Sequence, residues 1–215
     1  MKNTRRCKVC RERFEPKWSN QVVCIKEDCV LEFHKLNREK NFNSLKKAER
    51  KEMTEKKHDL QYFKTELQKK INAIARHLDF GKGCISCGKP PLGMVYGGHR
   101  LTVGSYGFIR YNLHNVSCQC YSCNMKKSGN PDGYNKGLSE RYGKEYMMYV
   151  TEQMPRDYLE IKYTHEELKQ AYQIAARIES SLKRDLKLYE PIEVLELKDK
   201  FNNEIGIYLN QFTQC

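Results

Sequence analysis

The chain has 215 residues, of which 39 are Lys or Arg, 27 are Asp or Glu and 10 are Cys. No stretch approaches the roughly 18 apolar residues that a membrane span needs, so we expect no membrane-spanning helix. The net charge of +12 favours an anionic partner, and nucleic acid is the leading candidate.

The cysteines indicate a reducing compartment. No apolar run follows the basic residues at the start of the chain, so we expect no secretory signal. In a reducing compartment, paired cysteines usually bind metal rather than form disulfides.

The positive charge is concentrated in the first two thirds of the sequence. Residues 1–146 carry 30 basic and 15 acidic side chains, whereas residues 147–215 carry 9 and 12. The first part is therefore expected to contact phosphates, and the acidic remainder is expected to have another role.

Residues 1–30 are predicted to form a four-Cys zinc finger. Its cysteines form two close pairs, Cys7-x2-Cys10 and Cys24-x4-Cys29, and four thiolates suit tetrahedral zinc. A segment of about 30 residues cannot bury enough surface to fold without a metal. The apolar residues expected to form its small core are Phe14, Trp18, Val22 and Val23.

Residues 31–80 are predicted to form a basic helical linker. Neither Gly nor Pro occurs between Lys17 and Phe80, and the expected helix runs from about Cys29 to Leu78. Its charged first half is expected to be a solvated or partly frayed helix, and its second half carries an apolar stripe that should pack on the central domain or on a partner helix. The stripe consists of Leu60, Phe63, Leu67, Ile71, Ile74 and Leu78.

Residues 81–150 are predicted to form a zinc-stabilised central domain. Two CxxC knuckles are a strong signal for structural zinc, and twelve of the thirteen glycines lie in this region. Cys118 is close enough to be a rival ligand, and Cys215 is also left over. The four predicted ligands are Cys84, Cys87, Cys120 and Cys123.

Residues 151–215 are predicted to form a helical acidic tail. Thr164 and Glu167 have the spacing of a capping box, and Pro191 is expected to begin a further helix. The expected apolar faces are Leu168, Tyr172, Ala175, Ile178, Leu182 and Leu186 in one helix, and Leu197, Phe201, Ile205 and Leu209 in the other.

Three residues between and just after the knuckles have the spacing of a nuclease site. His99, Asn115 and Asn124 resemble the HNH motif in its zinc-bound form, a ββα-metal arrangement. A neutral imidazole can take a proton from water, which is the role expected of His99. The amide oxygen of Asn124 could hold a catalytic Mg²⁺ or Mn²⁺, and the motif implies that Asn115 orients the histidine. The basic residues expected to contact DNA are Arg100, Arg110, Lys126 and Lys127.

A wider pattern is similar to the NinG (Rap) family of lambdoid phages. The matching segments are 84–88, 98–99, 110–115, 119–124, 127–130 and 141–143, together with the N-terminal finger and charged helix. The resemblance implies an α+β, mainly helical phage recombination endonuclease that cuts branched DNA such as Holliday junctions or D-loops. It also implies location in the bacterial host cytoplasm and possible phage or host recombination partners. Two symmetric cuts would favour a homodimer.

The sequence departs from the HNH pattern at the metal site. Many HNH enzymes have Asp directly before the base, but this chain has Gly98 there. Some relatives instead have an acidic residue a little further back, and this chain has Tyr96 at that position. Asn124 is then the one obvious protein ligand for the catalytic ion, with phosphate oxygens, waters and a backbone carbonyl as other candidates.

Other interpretations remain open. A zinc-containing DNA-binding recombination accessory protein without catalysis would bind DNA and cut nothing, whereas a protein-interaction adaptor would not bind DNA at moderate salt. A histidine next to glycines is commonly a turn residue, Asn115 could be an ordinary loop residue, and His114 is a rival for a role in the site.

Overall fold

A computed structural model describes residues 4–90, 93–158 and 162–208. The protein is mainly helical with two small antiparallel sheets, which confirms the predicted mainly helical α+β class. The chain divides into two compact units, Met1–Lys57 and His58–Cys215, and the division falls within helix α1, Glu27–Leu78. Across the described residues, no helix is both long enough and apolar enough to cross a membrane.

The first unit contains a short hairpin, β1 (Arg5–Arg6) and β2 (Arg13–Phe14), followed by the start of α1. Its buried centre is made of three cysteines and Val23, with Phe14 packed against them. The hairpin and the first turn of α1 thus surround a cysteine cluster rather than an extended apolar core.

Two residues of the predicted small core lie outside it. Trp18 is 57% exposed, and Val22 is only partly buried and is not part of the cluster around the cysteines, so both assignments were wrong. Val30 and Phe33 pack on the cysteines instead, because α1 begins two residues before Cys29 and brings its first turns under the cluster.

The middle of α1 is solvated. Every side chain from His34 to Glu55 is exposed, which agrees with the expectation for the charged first half of the predicted helix.

The last part of α1 belongs to the core of the second unit. Leu67, Ile71, Ile74 and Leu78 have no measurable exposed surface, and the partly buried Leu60 packs against the same core with Phe63. The predicted apolar stripe is therefore confirmed, and it faces the central region of the same chain.

The central region is built around one antiparallel hairpin. Strand β3 (Val95–His99) pairs with β4 (Val116–Cys120) so that His99 lies opposite Val116 and Val95 lies opposite Cys120. Short 3-10 turns at Gly107–Ile109 and Leu113–Asn115 lie between the strands, and a π-helical turn at Ser122–Lys126 follows β4.

The remaining helices complete the second unit. Their bounds are α2, Pro131–Tyr142; α3, Lys144–Met148; a π-helical turn, Tyr149–Gln153; α4, Met154–Asp157; α5, His165–Arg184; and α6, Pro191–Ile205.

The two long C-terminal helices largely follow the sequence prediction. Thr164 and Glu167 form the expected capping box at the start of α5. Leu186 was predicted on the buried face of α5, but the helix ends at Arg184 and Leu186 is 43% exposed. Leu209, predicted on the face of α6, lies outside the described residues.

Candidate functional site

The cysteines of the second unit form a compact cluster. The Sγ atoms of Cys84, Cys87, Cys120 and Cys123 all lie within 4.8 Å of one another, and the Cys87 and Cys120 sulfurs are 4.0 Å apart. Four sulfurs bound to one zinc ion at about 2.3 Å would be about 3.8 Å apart. The cluster could therefore hold a structural zinc ion that ties the loop before β3 to the end of β4.

The first unit has a similar cluster. The sulfurs of Cys7, Cys10, Cys24 and Cys29 lie within 4.8 Å of one another. Burial opposes ionisation of the Cys7 thiol, but the backbone amides of Cys24, Cys10 and Val9 outweigh it and lower its pKa to about 6. A stabilised thiolate suits metal binding, so this cluster could hold a second structural zinc ion.

Cys118 is not part of either cluster. It lies on β4 opposite Gly97, its side chain is buried, and burial raises the pKa of its thiol to about 12. The other leftover cysteine, Cys215, is outside the described residues. The four-Cys sets are thus those predicted from the CxxC and Cx4C spacings, without a contribution from Cys118.

His99 ends β3 and is held through one ring nitrogen. Its Nε2 lies 2.9 Å from the carbonyl oxygen of Arg110 and 3.1 Å from the side-chain Nε2 of Gln68. The Arg110 carbonyl can only accept a hydrogen bond, so we assign the proton of His99 to Nε2. This tautomer leaves Nδ1 as the nitrogen that can accept a proton.

The surroundings of His99 favour its neutral form. Burial lowers the pKa of His99 below its usual value of 6.5, the Arg110 carbonyl opposes this, and the positive charge of Arg110 adds to the lowering. A neutral imidazole at neutral pH is the form that can act as a base.

Asn115 clamps the segment that follows His99. Its side chain is fully buried, Oδ1 accepts from the Leu101 amide at 2.8 Å, and Nδ2 donates to the Leu101 carbonyl at 3.0 Å. The Asn115 carbonyl also accepts from the amide of Arg100 at 2.9 Å. Asn115 therefore fixes the backbone directly after His99, which is the geometry expected of an orienting residue.

His114 has a structural environment. It is fully buried, with Nδ1 2.9 Å from the Tyr146 hydroxyl and Nε2 3.0 Å from Asp199 on α6. The adjacent Leu113 amide donates to Asn202 of α6 at 3.0 Å. These contacts join α6 to the turn that carries Asn115 and give His114 a role inside the core rather than at an open site.

Asn124 lies beside the end of β3. It is in the π-helical turn after Cys123, and its Oδ1 is 3.0 Å from the point where a Cβ at Gly98 would be. The hairpin and the following turn thus place Asn124 next to the residue that precedes His99.

The four predicted DNA contacts have different surroundings. Lys126 and Lys127 are exposed in and after the π-helical turn. Arg100 is partly buried and its Nε donates to Asn135 at 2.5 Å, whereas Arg110 Nε donates to Gln68 at 3.1 Å. The lysines are free to meet a phosphate, while both arginines also organise neighbouring side chains.

Two glutamines in the site were missed by sequence reasoning. Gln68 lies near His99 and Arg110, and Gln119 packs against Gly98. Nothing in the local sequence marks Gln68, because its position near His99 results from the packing of α1 against the hairpin. Gln119 directly precedes Cys120 of the second cysteine cluster and begins the family-matching segment 119–124, and these were its available signals.

Comparisons with known proteins agree on one family. The family model described as Bacteriophage Lambda NinG protein matches residues 1–185. Protein ninG of Salmonella phage P22 is 31% identical over 182 residues, which cover 77% of this chain and 87% of the relative. Protein ninG of Escherichia phage lambda is 32% identical over 158 residues, covering 66% and 76%, and that of Escherichia phage 933W is 31% identical over 154 residues, covering 66% and 77%. No solved structure matches the chain.

Proposed function

The chain belongs to the NinG family of bacteriophage proteins, and on that basis we propose that it is a metal-dependent endonuclease of the HNH type. Its substrate is branched DNA, such as a Holliday junction or D-loop, during phage recombination in the host cytoplasm. The observation that carries the proposal is that Asn124, in the turn after the hairpin, lies beside Gly98, the residue before His99, next to a four-Cys cluster.

His99 is the general base. Its Nε2–H donates to the Arg110 carbonyl, which aims Nδ1 as the acceptor, and its lowered pKa keeps the ring neutral at neutral pH. Nδ1 takes a proton from water, the water oxygen attacks phosphorus, and the P–O bond to the leaving oxygen breaks. Solvent returns a proton to the leaving oxygen, and the histidine releases its own to solvent.

Asn124 would supply a ligand for the catalytic Mg²⁺ or Mn²⁺, because hard cations prefer oxygen ligands. Such a cation would neutralise charge on the scissile phosphate and on the leaving oxygen. Asn115 acts as a positioning residue through the backbone of Leu101 and Arg100.

The charge distribution supports binding to a phosphate backbone. Lys126 and Lys127 are exposed just after Asn124, and the chain as a whole carries a net charge of +12. Contacts of this kind hold DNA without reading sequence, which suits an enzyme that recognises a branch. Both zinc ions have structural roles in this proposal.

The test is cleavage of a labelled four-way junction and a matched duplex with Mg²⁺ or Mn²⁺. We expect metal-dependent cutting of the junction that disappears in His99→Ala while junction binding persists. His34→Ala is the matched control, since His34 is exposed on α1 far from the hairpin in sequence. Zinc content is measured in every variant, so that unfolding is not mistaken for lost chemistry.

A second candidate is a zinc-containing DNA-binding recombination accessory protein without catalysis. The observation that favours it is Gly98, which leaves the residue before His99 without a carboxylate. Salt-sensitive junction binding by the wild type, with no cutting in either ion, would replace the nuclease with this function.

A four-way junction needs two symmetric cuts, so we also propose that the protein acts as a homodimer, alone or with phage or host recombination proteins. Light scattering after gel filtration, with and without junction DNA, is the measurement. A monomer at micromolar concentration in both conditions would overturn the dimer and leave the nuclease proposal standing.

A further inference from the structure

Gln119 occupies the space beside Gly98. It lies on β4 opposite Tyr96, and its side chain has no exposed surface. A Cβ at Gly98 would overlap the Oε1 of Gln119. The amide of Gln119 therefore fills the room that a side chain at position 98 would take.

The orientation of this amide follows from its neighbours. Gln119 Nε2 donates to the Ser86 hydroxyl at 2.5 Å and to the Gly129 carbonyl at 2.6 Å. The carbonyl of Gly129 can only accept, so the NH₂ group must face it and the oxygen must face Gly98. The alternative flip would place two oxygens against each other.

The oxygen of Gln119 is buried and has no hydrogen-bond partner among the described residues. Buried carbonyl oxygens are nearly always paired, so an unpaired one calls for a physical explanation. The Oδ1 of Asn124 lies in the same region, since both oxygens are within 3.0 Å of the point where a Cβ at Gly98 would be. Two acceptors that converge on one point repel each other unless a cation or a donor lies between them.

We propose that Gln119 Oε1 is the second protein ligand of the divalent cation and binds it together with Asn124 Oδ1. This inference rests on the proposed nuclease function and names the ligand that the sequence left unidentified. Amide oxygens are suitable ligands for a hard cation but carry no net charge. Affinity for Mn²⁺ should therefore be low in the free protein and rise when DNA phosphate oxygens complete the coordination.

The experiment measures Mn²⁺ binding separately from cleavage. Full-length His99→Ala is titrated with Mn²⁺, with and without a four-way junction, and free Mn²⁺ is followed by electron paramagnetic resonance. We expect one junction-dependent Mn²⁺ per chain. Adding Gln119→Leu should weaken Mn²⁺ binding at least tenfold while leaving zinc content and junction binding in EDTA unchanged. Gln170→Leu, at an exposed glutamine of α5, is the matched control.

A second measurement needs no change at position 119. In ¹⁵N-labelled His99→Ala bound to the junction, substoichiometric Mn²⁺ should broaden the side-chain NH₂ signals of Gln119 and Asn124 before that of Gln170. If Gln119→Leu fails to fold, this result decides the proposal.

The outcomes separate this inference from the function on which it rests. If the wild type cuts junctions but Mn²⁺ binds equally well without the Gln119 oxygen, or leaves the Gln119 signal sharp, the inference is overturned and the nuclease proposal survives. If the wild type neither cuts nor binds Mn²⁺ with the junction, both fail. A water molecule hydrogen-bonded to Gln119 Oε1, with no Mn²⁺ effect, would also overturn the inference.

Discussion

The imidazole Nε2 of His99 lies 2.9 Å from the backbone carbonyl of Arg110, so the proposed base is fixed by the main chain of the loop between the two strands of its own hairpin. A carbonyl cannot be removed by a side-chain substitution. The orientation of His99 therefore depends on the path of this loop more than on any one side chain.

The first prediction concerns the pH dependence of cleavage. Burial lowers the pKa of His99 below 6.5, so the rate should be level at neutral pH and fall only as the pH drops below 6.5. Single-turnover rates between pH 5 and 8 measure this, and the ring proton signals of His99 should titrate over the same range. An acid limb centred above pH 6.5 would contradict the prediction.

The second prediction concerns stability in acid. Burial lowers the pKa of His114, although Asp199 opposes the shift. The unfolded chain binds this proton below about pH 6.5, the usual histidine value, whereas the folded protein binds it only at a lower pH. The contribution of His114 is therefore full above pH 6.5 and is lost as the pH falls through the lower, folded pKa. The free energy of unfolding in urea should fall from pH 7 to pH 5, and the slope should be smaller in His114→Gln. Equal slopes would show that other groups control the decline.

The third prediction concerns the amide of Asn115. Asn115→Ala removes two buried hydrogen bonds to Leu101 and leaves its backbone groups unpaired, which should cost about 2–4 kcal/mol of unfolding free energy. Asn115→Asp keeps the acceptor for the Leu101 amide but places a second acceptor against the Leu101 carbonyl, so it should also destabilise. Denaturation in urea measures both variants. A change of less than about 0.5 kcal/mol, typical of surface substitutions, would argue against the clamp.

The fourth prediction concerns metal content. Purified protein should contain two zinc ions per chain, and Cys24→Ser and Cys120→Ser should each lower the content to one. Elemental analysis measures the ratio, and Cys118→Ser, outside both clusters, is the matched control that should keep two. Retention of two ions in Cys120→Ser would mean that this cysteine is not required for zinc.

The fifth prediction concerns the contact between β3 and α1. A Cβ at Gly97 would lie 2.7 Å from the Cα of Asn72, a backbone atom that cannot move aside easily. Gly97→Ala should therefore destabilise the protein by about 1–3 kcal/mol. Gly104→Ala meets no atom within 4 Å and should change stability by less than about 0.5 kcal/mol. Similar melting temperatures for the two variants would contradict the close approach.

Local patterns in the sequence predicted much of this structure. The capping box at Thr164 and the helix that ends at Leu78 depend on residues close in sequence. Both cysteine sets have spacings that are typical of metal sites and of few other structures. The failures at Trp18 and Leu186 have a related cause. Both are apolar residues at positions where a buried residue was expected, but the sequence does not show whether another part of the protein is there to cover them.

The unpredicted part of the site depends on tertiary packing. Gln68 reaches His99 only because the end of α1 packs against the hairpin, and Gln119 reaches the space beside Asn124 only because position 98 is a glycine. The absence of a side chain at position 98 was visible in the sequence. The side chain that fills its place could be identified only from the structure, because Gln119 lies opposite Tyr96 and still reaches Gly98.

Helix α6 has a practical consequence for fragment design. The family match ends at residue 185, whereas Asp199 and Asn202 lie beyond it and bond to His114 and to the amide of Leu113. A recombinant fragment trimmed to the matched region would leave those buried groups without partners just before Asn115. Such a fragment would be a poor reporter of activity, because an inactive result could reflect a collapsed turn rather than missing chemistry.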